Sequence, residues 1–355
     1  MKILLSGGGT LGPVTPLLAI ASAYKKHYPE TEFIWIGTNT GPERELVEKA
    51  GIKFVTISAG KLRRYFSVWN LVDMFKLKLA FWQAWFIIRK VKPNLIISAG
   101  GFVSVPVHWA GWFWGVPSWV HQQDVVPGLA NRLVTPIAKK ITTALADSVQ
   151  YFPKHKTEWI GNPVRDMMVP DKLASRAKFG IPAAAPVVFA MGGGTGSMRV
   201  NNLVVESLSH WPKDWHVLHL VGRDRSAQIP AEAAKIFPNY HVYVFFTDEM
   251  KDAYAAADVV VARAGFASIT ELAALSKAAV LVPMADTHQE DNAKYFGEKN
   301  AAIVYNERAG DGLALAKEVQ SLMDNSVQRE LLGKKLHQVL PPAGEGRLVE
   351  IVKSL

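Results

Sequence analysis

The amino-acid sequence predicts an α/β protein of two Rossmann-like, doubly wound parallel-sheet domains facing each other across a cleft. Three observations carry this expectation. The chain has 355 residues, more than one typical core accommodates and enough for two domains of about 150 to 180 residues each. Short runs rich in Val, Ile and Leu alternate with longer amphipathic stretches throughout, the pattern of consecutive βαβ units. Each half also opens alike, on an apolar strand, a glycine cluster and a helix-like stretch.

In the first half the strands fall at Lys2–Ser6, Glu32–Ile36, Phe54–Ile57, Leu95–Ser98, Ser118–His121 and Ile141–Leu145. In the second they fall at Val187–Met191, His216–Val221, His241–Phe245, Val259–Ala262, Ala279–Pro283 and Ala302–Tyr305. Turn residues at Gly161-Asn162-Pro163 mark the linker, so the expected domains are 1–161 and 162–340. The segment 341–355, after Pro341-Pro342, is expected to pack back on the first domain. Phe102 to Val120 is nearly free of charge, but Pro106, His108 and Pro117 interrupt it. It reads as a buried helix followed by a buried strand rather than a membrane span.

Composition removes several classes of function. The chain has no cysteine, which excludes disulfides, thiolate nucleophiles and cysteine metal sites and suits a reducing compartment. No apolar signal stretch precedes the first strand, so export is not expected. The net charge of +9 favours anionic partners. No recognition-helix, zinc or RNA-binding motif accompanies it, so nucleic acid is not among the expected partners.

Gly7-Gly8-Gly9-Thr10-Leu11-Gly12 satisfies G-x-G-x-x-G directly after a strand. Glycines there let backbone approach a ligand, and the following helix aims free N–H groups at an anion. A dinucleotide site would want an acid at the end of the second strand, and Ile36-Gly37-Thr38-Asn39-Thr40 offers none. The dinucleotide-cofactor reading therefore drops away, and no metal is assigned. Gly192-Gly193-Gly194-Thr195-Gly196-Ser197 repeats the arrangement in the second half, and Gly100-Gly101 follows a third strand. Any one of these is an ordinary tight turn. Three at strand carboxyl ends describe a cleft for a phosphate-bearing ligand. Glu271 follows the strand Val259–Ala262 in a helix start. Its carboxylate suits the vicinal hydroxyls of a ribose, or serves as an acid stabilised by the helix dipole.

These segments together resemble the MurG family, bacterial transferases that add N-acetylglucosamine to undecaprenyl-pyrophosphoryl-N-acetylmuramyl-pentapeptide (lipid I, giving lipid II). The resemblance runs the length of the chain, through Gly8–Pro16, Gly100–Ser104, His121–Asp124, Gly128–Asn131, Gly161–Arg165, Gly192–Ser197, Phe246–Met250, Ala264–Glu271 and His288–Ala293. It implies a GT-B fold and an inverting transfer from UDP-N-acetylglucosamine to the acceptor 4-hydroxyl. By the same resemblance Glu271 binds the ribose, while Arg165, Phe246, Thr247 and Met250 surround the uracil and donor. Gly193, Gly194, Thr195 and Gly196 meet the diphosphate, and Gln289 contacts the transferred sugar. On the acceptor side stand Gly9, Thr10, Gly12, Gly101, Asn131 and Asn201. The resemblance places such a protein peripherally on the cytoplasmic face of the bacterial cell membrane.

The chain also departs from that pattern. The family's loop histidine is Pro13, which cannot transfer a proton, and the usual H-E-Q-N reads His121-Gln122-Gln123-Asp124. Asp124 is the expected general base, alone or with His121 sharing the positioning; a helix-capping aspartate is the plainer reading. Two other readings stand beside a lipid I transferase: a UDP-sugar transferase with another lipid acceptor, whose donor half would look similar, and, given Pro13 and Gln122, a sugar-nucleotide-binding homologue without chemistry. A lipid acceptor requires docking on an anionic membrane surface. Phe75, Leu79, Trp82 and Phe86 are spaced four, three and four apart, with Trp85 adjacent and Lys76, Lys78, Arg89 and Lys90 around them. They form either an interfacial stripe or the core-facing side of an ordinary helix.

Overall fold

A computed structural model of the chain describes residues 1–9, 12–39, 41, 43–58, 69–164, 170–193, 196–223, 233, 236–246, 249–308 and 310–355, with backbone alone for 69–74. The chain forms two compact units, Met1–Asp166 with Pro342–Leu355, and Met167–Pro341.

The first unit is built on β1 (Lys2–Ser6), β2 (Glu32–Gly37), β3 (Lys53–Thr56), β4 (Leu95–Ser98), β5 (Ser118–Gln122), β6 (Lys140–Thr143) and β7 (Thr157–Trp159). They pair in the order β3-β2-β1-β4-β5-β6-β7, every pairing parallel. Between them run α1 (Val14–His27), α2 (Glu43–Lys49), α3 (Trp69–Val91), α4 (Ser104–Phe113) and α5 (Leu129–Val134). Both faces of the sheet are covered, which is why its strands are apolar throughout rather than alternating. Ile3 and Leu5 join Leu17, Trp35 and Trp119 in one core, while Leu4 points to the other with Ala80, Ala84, Ile88 and Val107.

The second unit repeats the plan with β8 (Val187–Met191), β9 (His216–Leu220), β10 (Tyr240–Tyr243), β11 (Val259–Ala262), β12 (Ala279–Leu281) and β13 (Ile303–Val304). Their order is β10-β9-β8-β11-β12-β13, again all parallel. Its described helices are α6 (Lys172–Lys178), α7 (Met198–Ser207), α8 (Met250–Ala256), α9 (Phe266–Ala274), α10 (His288–Glu298), α11 (Gly312–Asp324) and α12 (Ser326–Val339). The chain then returns to the first unit, where Ala343 N–H donates to Asn162 C=O at 2.9 Å. The last helix, α13 (Glu345–Ser354), buries Leu348, Ile351 and Val352 in the core shared with α1. Arg347 clamps it to β7 through Glu158 at 2.7 Å.

In each sheet the chain reverses its direction of progress beside the first strand, between β1 and β4 and between β8 and β11. Loops leaving those strands diverge, so ligands of open α/β sheets bind there. The glycine clusters occupy these positions in both units.

Candidate active site

Each unit carries its own polar cluster at the carboxyl ends of its central strands. In the first, the loop after β1 packs against the loop after β4. Gly101 has φ +86°, and a Cβ there would lie 3.0 Å from Gly8 C=O, so this approach requires glycine. Trp35 Nε1 donates to Gly7 C=O at 2.9 Å. The Gln123 amide ties the loops by donating to Gly12 C=O at 3.2 Å and Ala99 C=O at 3.4 Å. Beneath them lies Glu43, at 0% exposure. Its carboxylate accepts from Thr38 N–H at 2.8 Å, Thr38 Oγ1 at 2.6 Å and Gly9 N–H at 3.3 Å. The acid missing from the end of β2 is thus supplied a few residues later by α2, and it faces backbone. Pro13 stands immediately before α1, where its missing N–H costs the helix nothing.

Asp124 is half-buried in the turn that follows β5. Gln122 Nε2 shapes this turn by donating to Asp124 C=O at 2.7 Å, and Asn131 Nδ2 holds Gln122 Oε1 at 2.6 Å. Asn131 is 5% exposed, so its side chain supports the turn from within. His121 is wholly buried, with Nδ1 2.8 Å from Thr142 Oγ1 and Nε2 2.7 Å from Asn162 Oδ1. Burial pushes its pKa down to about 4, and the Asn162 contact opposes this only in part. With both ring nitrogens engaged inside the sheet, His121 steadies β5 rather than reaching a hydroxyl.

In the second unit the loop after β8 turns tightly into α7. Gly196 has φ +80°, and a Cβ there would clash with Val221 C=O. Ser197 caps α7, its Oγ accepting from Val200 N–H and, at 2.9 Å, from Arg263 Nε. Arg263 is itself buried and pairs with Glu307 at 2.5 Å. Glu271 lies in α9 beyond the first turn, which holds no acid, so the dipole reading of this residue does not apply. It is half-buried, and the fully buried Tyr254 donates to its Oε2 at 2.8 Å. Gln289 opens α10 and accepts from Met284 N–H at 3.1 Å. Met250 begins α8 and is half-buried.

Two further residues expected at ligand contacts are also buried. Asn201 is 0% exposed, its Nδ2 donating to Val221 C=O at 3.1 Å and its Oδ1 lying 3.1 Å from His219 Nε2, so its side chain joins α7 to β9 within the second unit. Phe246 is 7% exposed among Phe179, Phe189 and Tyr243, so its ring belongs to the core. Gly9, Gly12, Gly101 and Gly193 lie partly accessible on their loops. Thr10, Arg165, Gly194, Thr195 and Thr247 lie outside the described residues.

The aromatic stripe of α3 faces outward. Phe75, Leu79, Trp82 and Phe86 are 68%, 51%, 55% and 61% exposed, while Ala80, Ala84 and Ile88 form the core side, which settles against the core-facing alternative. Trp85 bridges to the end of α4, its ring 5.0 Å from Trp114 and 6.0 Å from Phe113. Trp112, Phe113 and Trp114 are exposed as well, so the helix expected to be buried within Phe102 to Val120 surfaces at its end, while the strand after it, β5, is buried as expected. Arg89 lies over the Trp114 ring and Lys78 over Phe75. Among the described residues no helix is long and apolar enough to cross a membrane.

Two parallel-sheet units with glycine loops at their switch points define the GT-B class of fold. The chain matches the glycosyltransferase family 28 N-terminal domain over residues 3–143 and the family 28 C-terminal domain over 187–339. It belongs to glycosyltransferase family 28. Similar curated proteins carry the name UDP-N-acetylglucosamine–N-acetylmuramyl-(pentapeptide) pyrophosphoryl-undecaprenol N-acetylglucosamine transferase. One from Alkaliphilus oremlandii is 35% identical over 92% of this chain and 91% of its own length. Another, from Clostridium perfringens, is 33% identical over 99% and 98%. Among solved structures, MurG of Acinetobacter baumannii superposes with a TM-score of 0.76 at 23% identity, covering 100% of this chain and 99% of that one. A UDP-GlcNAc 2-epimerase of Neisseria meningitidis, bound to UDP-GlcNAc, also superposes, with a TM-score of 0.67 at 13% identity over 100% and 99%. Fold alone therefore does not select the chemistry.

Proposed function

We propose that this chain transfers N-acetylglucosamine from UDP-N-acetylglucosamine to the 4-hydroxyl of undecaprenyl-pyrophosphoryl-N-acetylmuramyl-pentapeptide, with inversion. The observation that carries this reading is the full-length kinship with transferases of that name, spanning both units. In the second unit Glu271 takes the ribose, and the Gly193, Gly194, Thr195 and Gly196 loop cups the diphosphate at the start of α7. Arg165, Thr247 and Met250 complete the uracil and donor contacts, and Gln289 meets the sugar. In the first unit Gly9, Thr10, Gly12 and Gly101 receive the acceptor. The acceptor oxygen attacks the anomeric carbon as the bond to the β-phosphate breaks, and UDP leaves with the bonding pair. Asp124 takes the hydroxyl proton, and loop amides offset the charge gathering on the diphosphate.

The polyprenyl acceptor places the protein peripherally on an anionic membrane, at the cytoplasmic face where nucleotide sugars are available. The exposed faces of α3 and the end of α4 form the docking surface, flanked by Lys78, Arg89 and Lys90. Nucleic acid is not a partner. The deciding measurement is UDP release from UDP-N-acetylglucosamine with a lipid I analogue, run beside diacylglycerol. Release with the analogue supports this function. Release only with diacylglycerol assigns another acceptor, and UDP binding without release assigns a non-catalytic role.

A further inference from the structure

We infer that Tyr254 is a positioning residue that makes the nucleotide site selective for ribose over 2′-deoxyribose. The inference rests on the assignment of Glu271 to the ribose and adds what aims that carboxylate. The terminal torsion of a glutamate is broad and two-fold, so a carboxylate without a fixed partner samples many planes. Here Tyr254 Oη lies 2.8 Å from Glu271 Oε2 and 3.4 Å from Met191 Sδ. A phenol has one proton, and the carboxylate is much the stronger acceptor, so the proton goes to Glu271.

The donor is rigid. Tyr254 is 0% exposed in α8, and its ring meets Phe189 of β8 edge-on with centroids 5.4 Å apart. Burial, reinforced by the Glu271 charge, raises the phenol pKa well above its ordinary value, so it remains a donor at every working pH. The carboxylate plane is thus set before the nucleotide arrives. A plane set in advance rewards two vicinal hydroxyls, because both must meet acceptor lone pairs in one geometry. A sugar with a single hydroxyl forfeits one of those bonds and gains less from the alignment.

The test is calorimetric titration of the full chain with UDP and with 2′-deoxy-UDP. Tyr254→Phe keeps the ring in its packing and removes only the hydroxyl. UDP binding is expected to weaken about tenfold, the scale of one charge-assisted hydrogen bond, with 2′-deoxy-UDP affected less, so that the ratio between the two narrows. Glu271→Asp withdraws the carboxylate from Tyr254 by one methylene without disturbing the core, and is expected to narrow the ratio likewise. An unchanged ratio in either variant, including equal weakening of both ligands, overturns the inference. Glu271→Ala separates the two levels of the argument: if it leaves UDP binding untouched, the ribose assignment itself is wrong.

Discussion

Glu43 is the support whose removal has the most calculable effect. Its side chain is wholly buried and accepts three hydrogen bonds, from Thr38 N–H, Thr38 Oγ1 and Gly9 N–H. Glu43→Ala leaves three donors without a partner in a cavity beneath the first glycine loop. Each unsatisfied buried donor costs about 1–3 kcal/mol, and incoming water recovers part of this, so a loss of about 3–5 kcal/mol is expected. For a unit of this size that lowers its melting temperature by about 6–20 °C. Glu43→Gln retains the shape and one acceptor oxygen, so about 1–2 kcal/mol is expected, with Gly9 N–H now facing an amide. Scanning calorimetry with and without UDP separates the transitions, because the nucleotide stabilises only the unit that binds it. In turnover the Gln variant should show a raised KM for the acceptor and little change for the donor. An Ala variant melting within about 2 °C of the parent would refute the reasoning, since the three bonds would then carry no net weight.

Three further outcomes are expected. Asp124→Asn should lower kcat at least about a hundredfold while leaving UDP affinity intact, as removal of a general base does; full turnover rules the role out. The buried histidines make the first unit acid-sensitive. His108 and His121 are held neutral by burial, with pKa values lowered to about 3 and about 4. The unfolded chain binds protons below about pH 6.5, so their contribution is complete above that pH and declines as pH falls toward 4. The slope is about 1.4 kcal/mol per pH unit for each, and a melting profile flat from pH 6.5 to 5 contradicts it. Binding to anionic vesicles should weaken with salt and be lost in a Trp82→Ser, Phe86→Ser double variant; binding equal at low and high salt excludes the electrostatic component.

The fold was legible because both sheets are buried on two faces, which writes each long strand as a continuous apolar run. β7 escaped notice because Thr157–Trp159 is three residues long and half-exposed, a strand made by pairing with β6 rather than by its own composition. Glu43 is not legible as a loop support, because the dinucleotide pattern places its acid at the end of β2 whereas Glu43 opens the next helix. Tyr254 looks like any aromatic in an alanine-rich helix, and only its 2.8 Å contact with Glu271 marks it out. His121 and Asn201 stand in motif positions that suggest ligands, yet the structure spends their side chains on interior hydrogen bonds. Motif spacing reports where a residue stands along the chain, and the outcome of its side chain depends on neighbours such as Thr142 and Asn162, tens of residues away. The stripe on α3 resolved the opposite way: helical spacing is the same for a buried and an exposed face, and only the alanines of the reverse side decide.

The groups assigned to ligands, and the Ser197 cap beside the diphosphate loop, share one construction. Gly9 rests on Glu43, the turn bearing Asp124 on Gln122 and Asn131, Ser197 on Arg263, and Glu271 on Tyr254. Except for Gln122 and its neighbour, these supports carry or donate to a charge, and all are buried. The Arg263–Glu307 pair makes the reason plain. Desolvating both ions offsets most of their attraction, so an apolar pair of equal volume would hold the fold about as well. What an apolar pair cannot do is direct Nε at Ser197 Oγ while a second nitrogen donates to Val282 C=O at 3.1 Å, fixing the mouth of the loop against the end of β12. Relative to apolar groups of equal volume such supports add little stability and much direction, which suits the proposed transfer, where dipoles must already be aligned when charge develops on a leaving diphosphate.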